Sequence, residues 1–282
     1  CDVNYLGKTH PAQMRIRGSS SREYPKKSLK IKYKYGNKTK TINLNADYLD
    51  KSYMRQYLAS SLYKKIHPLA FSCEHKAVFI NNTFFGIYLE VDNIDYDFLI
   101  QKNKNDIGNL YKASKDYANM SWFDDGSYYW EKKTNKNHNN SDLQNLIYDI
   151  NSISIDKFAD YIKSNFNYNN LISSVALNIL IGNGSTYYHN YYLYNNTWGH
   201  KWYYLPWDLD KTMGSYKDLR YDYCSWSAHE SGNMAENPLL KKLFLNSSTS
   251  KEIFNKIDSL KFSIFNEEQL YPIIDSLANV LQ

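Results

Sequence analysis

The sequence predicts a mixed α+β protein with a β-rich N-terminal part and a mainly helical C-terminal part. Early in the chain, apolar and polar residues alternate with a period of two, as in Leu29-Lys-Ile-Lys-Tyr-Lys-Tyr35. After residue 141 the apolar residues recur at helical spacing, and the most apolar of these stretches ends at Ile179-Leu-Ile181. A chain of 282 residues is long enough to bury a core without disulfide or metal support.

The β-rich part, about residues 1–118, contains two predicted hairpins and one principal helix. The predicted strands cover 28–35, 39–44, 77–80 and 84–91. Turn residues separate the members of each pair, namely Gly36-Asn37 and Asn81-Asn82. Asp50 is suited to cap the helix, and Pro68 marks its end.

The middle of the chain, about residues 119–140, is rich in Asn, Lys, Asp and Gly with little periodicity, which predicts an exposed excursion. Ser141 and Gln144 then have the spacing of a capping box. The helices predicted after this point cover 141–150, 156–165, 169–181, 239–245, 251–260 and 267–281. We interpret residues 1–282 as one domain with a helical part over about 141–282.

A hairpin inside the helical part carries a set of oxygen ligands. Its second strand ends in Asp208 and Asp210, and Asn190 lies on the neighbouring strand. Carboxylate and amide oxygens suit Mg²⁺, which takes one or two protein carboxylates and completes its shell with water and phosphate oxygens. The alternative is a hairpin whose polar end simply faces solvent.

Composition limits the classes of partner. The net charge of +5 is too weak to indicate nucleic-acid binding. No run of about 20 apolar residues occurs, so no membrane span is predicted. The 28 tyrosines suit binding grooves, but biased codon usage explains them equally well. The three cysteines form no CxxC pair, and Cys1 is open to a partner elsewhere.

Several phrases, in the same order along the chain, resemble the spore-coat CotH kinase family, an atypical and reduced protein-kinase fold. They are Met14-Arg-Ile-Arg-Gly-Ser-Ser-Ser-Arg22 with Pro25-Lys-Lys-Ser28, Asp50-Lys-Ser-Tyr-Met-Arg55, Phe85-Gly-Ile-Tyr88 leading to Ile94-Asp95, His189-Asn-Tyr-Tyr-Leu-Tyr194, and Pro206-Trp-Asp-Leu-Asp210. The resemblance implies a bilobal kinase-like fold, ATP and Mg²⁺ as cofactors, and a Ser-rich surface or coat protein as substrate. It also implies a secreted protein or one at the spore or cell surface.

The resemblance assigns the metal ligands and exposes a departure from the family. Asn190 matches the Mg²⁺-binding Asn of kinases, Asp208 the Asp of the DFG-type turn, and Asp210 is a second carboxylate. The catalytic Asp is expected five residues before Asn190, where this chain has Ser185. A Ser hydroxyl can orient an attacking hydroxyl but cannot accept its proton near pH 7, so catalysis is expected to be impaired or absent.

The same resemblance places the nucleotide among basic and aromatic residues. Arg17, Arg22 and Lys27, together with Lys26, lie beside a Gly/Ser turn of the kind that holds phosphates. Asp92 stands where the family has the acid that pairs with the phosphate-binding Lys, with Glu90 as an alternative. Trp202 and Trp207 are candidates to stack on adenine, and core packing is the alternative role.

Three functions are consistent with these observations. The first is an active phosphotransferase acting on Ser-rich surface or coat proteins. The second is a pseudokinase scaffold that binds nucleotide without transferring phosphate. The third is an extracellular adhesion or carbohydrate-associated module of a cell-surface or cellulose-degrading assembly. A sequon at Asn183 adds the hypothesis of a glycan beside the site.

Overall fold

Two antiparallel sheets and eight α-helices form the part of the chain that the computed structural model describes. That part comprises residues 1–102, 108–115, 117–184, 186, 189–196, 199–214 and 237–281. The mixed α/β class predicted from the sequence is confirmed. Within these residues no helix has both the length and the apolar character to cross a membrane.

The first sheet is built from the N-terminal strands. They are β1 (Asp2–Tyr5), β2 (Lys8–Ile16), β3 (Leu29–Tyr35), β4 (Lys38–Asn45), β5 (Cys73–Ile80) and β6 (Thr83–Val91). Their order in the sheet is β1-β2-β3-β4-β6-β5. Alternation in β3 buries Leu29, Ile31 and Tyr33 on one face in a small apolar cluster. The intervening lysines therefore lie on the opposite, polar face.

The second sheet joins strands that are distant in sequence. They are β7 (Asn109–Ala113), β8 (Trp130–Lys132), β9 (Tyr191–Asn195) and β10 (Trp202–Pro206), in the order β10-β9-β7-β8. Because β7 comes from the β-rich part and β9–β10 from the helical part, the sheet joins both parts of the chain. Its buried tyrosines belong to the main apolar core.

The helices pack on the second sheet and on one another. They are α1 (Arg55–Ile66), α2 (Tyr96–Gln101), α3 (Ser141–Ser152), α4 (Ile155–Asn165), α5 (Tyr168–Leu180), α6 (Pro238–Leu245), α7 (Ser247–Ser263) and α8 (Glu267–Leu281). The sequence-predicted helices match these segments to within a few residues at most ends. Helix α5 is buried on nearly all sides, as its apolar composition predicts.

Two local predictions were wrong. The segment over 119–140 is not wholly exposed: it supplies β8, and Trp130 is buried with its indole N–H donating to both oxygens of Asp124. Ser141 does not form a capping box with Gln144, because its hydroxyl donates to Asn139 and the Gln144 amide donates to the Asp125 carbonyl. In both cases side-chain hydrogen bonds within the segment replace the arrangement expected from local spacing.

Candidate functional site

The β9–β10 hairpin brings Asn190 and Asp208 to the same end of the second sheet. Tyr191 and Pro206 are cross-strand neighbours in this hairpin. Asn190 directly precedes β9, and Asp208 follows β10 by two residues. The Trp207 amide N–H donates to the Asn190 carbonyl oxygen at 3.1 Å, which fixes the separation of the two chain segments. The register thus brings two residues that are distant in sequence into a shared site.

Three polar residues of the site have left-handed backbone conformations. The φ angles are 42° at Asp47, 62° at Asn190 and 60° at Asp208. Such angles are uncommon for residues other than Gly, although Asn and Asp tolerate them best. Uncommon backbone conformations of this kind cluster at functional sites. These three residues are therefore candidates for function rather than for turn formation alone.

A cavity of about 660 Å³ lies between the polar face of the first sheet and the end of the β9–β10 hairpin. Its volume is in the range usual for small-molecule and cofactor sites.

The first sheet and the segments beside it contribute Arg17, Lys26 and Asp47 to the lining, and the second sheet contributes Lys112. The hairpin end contributes the polar residues Asn190, Asp208 and Asp210. Cations and oxygen ligands therefore line the same space.

Two half-buried cations, Arg17 and Lys112, line this cavity together with the carboxylates. Burial lowers the pKa of Arg17, and the charge of Asp208 partly offsets that effect. Burial also lowers the pKa of Lys112, again with Asp208 as the main opposing charge. The Arg17 guanidinium donates to Asn45 Oδ1 at 2.5 Å, which orients it on the sheet. Cations held in a partly desolvated place are well suited to bind an anion such as a phosphate.

The carboxylates of the site are crowded and buried. Burial raises the pKa of Asp47 to about 7, with further contributions from Asp50 and Asp208. Burial likewise raises the pKa of Asp210, and Asp208 is its next largest cause. Asp47 Oδ2 is buried and has no hydrogen-bond partner among the residues that the structure describes. A bound cation would relieve this mutual repulsion, so the donor set fits a hard metal ion.

The number of ligands also bears on the kind of metal. Within the described residues, no group of three or more His, Cys, Asp or Glu side chains is arranged to hold an ion by itself. Mg²⁺ does not require such a group, because it is commonly held by one or two carboxylates together with water and substrate phosphates. Asp208, Asp210 and the Asn190 amide fit that mode of binding.

Comparison with known proteins identifies the family. The model of the family described as CotH kinase protein matches residues 14–282. The chain belongs to the CotH kinase protein family. It is also similar to inner spore coat protein H of Bacillus subtilis (strain 168), with 30% identity over 210 residues. That match covers 70% of this chain and 58% of the length of the relative. The resemblance found in the sequence motifs is thus confirmed.

Five of the site residues predicted from the sequence line the cavity of this CotH-family chain: Arg17, Arg22, Asn190, Asp208 and Asp210. Three others do not. Lys27 donates to the Arg22 carbonyl at 2.5 Å, and Asp92 Oδ2 accepts from the Ser72 amide at 2.7 Å. Trp202 is buried in the core. Ser185 lies outside the described residues. The binding roles of the five stay predictions.

Lys26, the neighbour of Lys27, lines the cavity. Its ammonium lies 4.4 Å from the ring centroid of Tyr53 and 4.5 Å from that of Tyr88, and it donates to the Ile87 carbonyl. Burial lowers the pKa of Lys26, and the charge of Asp47 opposes this. Lys26 thus lines the cavity, but its ammonium is held by Tyr53, Tyr88 and the Ile87 carbonyl, none of which lines it.

The acid expected to pair with a phosphate-binding lysine is not on β6. Glu90, the alternative to Asp92, accepts a hydrogen bond from the Tyr5 hydroxyl at 2.8 Å and lies 4.0 Å from Lys76. Neither Glu90 nor Asp92 lines the cavity. Asp47 is the carboxylate whose charge acts on Lys26. No motif in the sequence distinguishes Asp47, and only its backbone conformation and burial identify it.

The aromatic wall of the cavity is Trp207 rather than Trp202. Trp207 lines the cavity and packs edge-on against Phe71 at 5.0 Å and Tyr192 at 5.7 Å between ring centroids. Trp202 lies two residues before Tyr204 in β10, with its ring 6.2 Å from that of Tyr111. Trp202 belongs to β10, whereas Trp207 follows the strand, directly before Asp208, and lines the cavity.

The hypothesis of a glycan on Asn183 is wrong for the folded chain. Asn183 is fully buried, and its side-chain amide donates to Asn178 Oδ1 at 2.9 Å. A glycosylated Asn must lie at the surface. The sequon therefore has no role in blocking the cavity.

Replacing Asp47 with Asn is expected to change the pH dependence of stability. The pKa of this carboxyl is about 7 in the folded chain, against an ordinary value of 3.8. Between these values the folded chain retains a proton that the unfolded chain has lost. The free energy of unfolding therefore falls as pH rises, by at most about 1.4 kcal/mol per pH unit. The amide of the variant cannot ionise, so the variant lacks this part of the decrease in the free energy of unfolding.

Urea unfolding of the wild type and of Asp47→Asn at pH 4, 6 and 8 measures this effect. The variant should be more stable than the wild type at pH 8, and the difference should shrink toward pH 4. Asp258→Asn, at an exposed position of α7, is the matched control and should follow the wild type. An equal stability difference at all three pH values would show that the Asp47 carboxyl does not titrate in this range.

Proposed function

We propose that this CotH-family chain binds a Mg²⁺–nucleotide in the cavity between its two sheets. One observation carries the proposal: Asn190 and Asp208 meet at one end of the β9–β10 hairpin, in a cavity that the half-buried cations Arg17 and Lys112 also line. Family membership supports it. A bilobal kinase-like arrangement, with the first sheet and the helices on the two sides of the cavity, belongs to the same proposal.

Each residue has a defined role in this proposal. Asp208 and Asp210 offer carboxylate oxygens to the metal, and Asn190 offers its amide oxygen. The metal, when bound, neutralises charge on the phosphate oxygens. Arg17 binds phosphate oxygens from the side of the first sheet, and Lys112 does so from the second sheet. Trp207 forms the apolar wall beside them.

We also propose that transfer of the phosphoryl group to Ser-rich surface or coat proteins is impaired. The sequence has Ser185 at the position where a kinase has the Asp that accepts the proton of the attacking hydroxyl. General-base catalysis commonly contributes about 10²–10⁴-fold, so a loss of that order is expected. The same substitution favours the second candidate, a nucleotide-binding pseudokinase scaffold. Secretion or exposure at the spore surface is part of the proposal, in keeping with the coat location in the name of the relative.

Thermal denaturation with ATP, GTP, AMP and no nucleotide, each with and without Mg²⁺, tests the proposal. A ligand at about 100 times its Kd stabilises a fold by roughly 2.7 kcal/mol, which is a shift of roughly 5 °C for a chain of this size. The shift should require both nucleotide and Mg²⁺. Absence of a shift with every nucleotide would contradict both the kinase and the pseudokinase candidates.

Restoring the missing carboxylate separates these two candidates. Ser185→Asp is expected to raise the rate of phosphate transfer from ATP to a Ser-rich peptide by about 10²-fold or more, since it supplies the general base. The measurement is transfer of radiolabelled phosphate, with Ser185→Asn as the control of similar size without a base. If both variants remain as inactive as the wild type while still binding ATP, the chain is a scaffold whose other catalytic parts are also missing.

A further inference from the structure

A second cavity, of about 450 Å³, opens beside the nucleotide cavity and is rich in cations. We name it the basic groove and define it by Arg15, Lys30, Lys32, Lys133 and Lys136. Arg15, Lys30 and Lys133 line both cavities, so the groove leads directly into the proposed nucleotide site. A ligand that fills the groove can therefore reach the proposed nucleotide site.

Strand register forces like charges together in this groove. Arg15 on β2 and Lys30 on β3 are direct cross-strand neighbours. Side chains of such neighbours lie about 5 Å apart at Cβ, and like charges in that arrangement are destabilising. Lys32 follows on the same face of β3. The pKa of Lys30 is lowered to about 8 by its burial and by the neighbouring cations, of which Lys133 acts most strongly.

Of the five cations that define the groove, only Lys133 forms a salt bridge with an acidic residue among the described residues. Asp97 pairs with Lys40 at 3.4 Å, and Glu131 pairs with Lys133 at 2.9 Å. Asp95 caps α2 by accepting from the Phe98 amide at 3.3 Å. By contrast, four cations make no salt bridge and no side-chain hydrogen bond to any described residue. They are Arg15, Lys30, Lys32 and Lys136.

The spacing of the cations matches an extended peptide. Lys30 and Lys32 lie two residues apart on one face of β3, and therefore about 7 Å apart along the strand. An extended peptide has the same repeat between alternate side chains. The modest net charge of the whole chain, +5, lacks the excess expected of a polynucleotide-binding protein. The complementary ligand is thus a protein segment with carboxylates at alternate positions.

We propose that the basic groove binds an acidic segment of a partner protein, with Asp or Glu at alternate positions, and so directs the neighbouring Ser toward the nucleotide. This proposal rests on the proposed function for the identity of the partner as a phosphorylation substrate. The groove itself acts by charge complementarity. Binding of the acidic segment requires neither ATP nor Mg²⁺.

Fluorescence anisotropy with labelled peptides, in the absence of nucleotide, tests the proposal. The probe is a Ser-Glu repeat, and two comparison peptides replace Glu with Gln or place all the Glu residues together. We expect the wild type to bind the Ser-Glu repeat at least tenfold more tightly than the Ser-Gln repeat and several-fold more tightly than the peptide with contiguous acids. Lys30→Gln combined with Lys32→Gln should weaken binding of the Ser-Glu repeat about tenfold.

The matched control is Lys34→Gln combined with Lys38→Gln, which removes the same charge from exposed positions outside the groove. It should bind within twofold of the wild type. Any one of three results would overturn the proposal. The first is equal weakening in both double variants, and the second is equal binding of the Glu and Gln peptides. The third is stronger binding of a single-stranded oligonucleotide of equal charge. The groove variant should also melt at or above the wild-type temperature, because it relieves repulsion between Arg15 and Lys30.

The two proposals fail separately. If the wild type fails to bind the Ser-Glu repeat but is stabilised by Mg²⁺–ATP, the proposed role of the groove is overturned and the proposed nucleotide site is supported. Peptide binding without any nucleotide effect would leave the groove as an acidic-segment binding site and remove the link to phosphorylation.

Discussion

Replacing Asp208 with Asn is expected to raise the Kd for Mg²⁺–ATP at least tenfold and to remove most of the thermal stabilisation by that ligand. The residue supplies a carboxylate at the hairpin end, and it is the main opposing charge for the half-buried cations Arg17 and Lys112. Asn is similar in size but has one oxygen and no charge, so the metal loses its strongest partner. Isothermal calorimetry with and without Mg²⁺ measures the change.

Asp258→Asn is the matched control, because it makes the same chemical change at an exposed position of α7. Its Kd should equal that of the wild type. Asp210→Asn should also weaken binding that depends on Mg²⁺. If Asp208→Asn binds Mg²⁺–ATP as tightly as the wild type, the hairpin end does not hold the metal.

Replacing Trp202 with Ala is expected to lower the free energy of unfolding by about 3–5 kcal/mol, the usual cost of removing a large buried aromatic side chain. Trp202 is 5% exposed and packs beside Tyr111, and its position in β10 pairs with Phe166 through an isolated bridge. Urea unfolding measures the loss. Trp202→Phe should lose much less and should leave the Kd for ATP unchanged.

Trp207 provides the contrasting test of the aromatic wall. Trp207→Phe should weaken ATP binding severalfold, because Trp207 lines the cavity. If instead Trp202→Phe loses ATP binding and Trp207→Phe keeps it, Trp202 rather than Trp207 contacts the nucleotide.

The secondary structure of the chain follows closely from its sequence. Alternation of Leu29, Ile31 and Tyr33 with lysines specifies β3 and its buried face, because one register alone buries the apolar set. Helix boundaries fall where Pro, Asn or Asp change the local backbone preference, as at Asn237, which accepts from the Leu240 amide. These signals are local, and local signals are visible in a sequence.

The second sheet was not predictable in the same way. β7 and β8 are short, and β8 lies in a polar segment whose composition indicates a loop. They become strands because the β9–β10 hairpin offers an edge, with β7 pairing directly to β9. Long-range pairing of this kind depends on tertiary packing rather than on propensity.

The residues of the candidate site likewise fall into two groups, those that local sequence signals identify and those that depend on tertiary packing. Asn190, Asp208 and Asp210 were identified because their residue types and their place beside a hairpin imply shared chemistry. Asp47 and Lys112 were missed, since each is a single charged residue whose burial in the cavity is set by the packing of the two sheets. Residue type alone does not distinguish a charge in a cavity from one in solvent.

The central claim is that the hairpin end and the first sheet together hold a metal–nucleotide. A crystal soaked with Mn²⁺ and a non-hydrolysable ATP analogue tests it most directly, because Mn²⁺ replaces Mg²⁺ at oxygen sites and scatters anomalously. We expect one anomalous peak at about 2.1 Å from a carboxylate oxygen of Asp208, with phosphates against Arg17 and Lys112. An anomalous peak remote from Asn190 and Asp208, or a nucleotide bound outside this cavity, would contradict it.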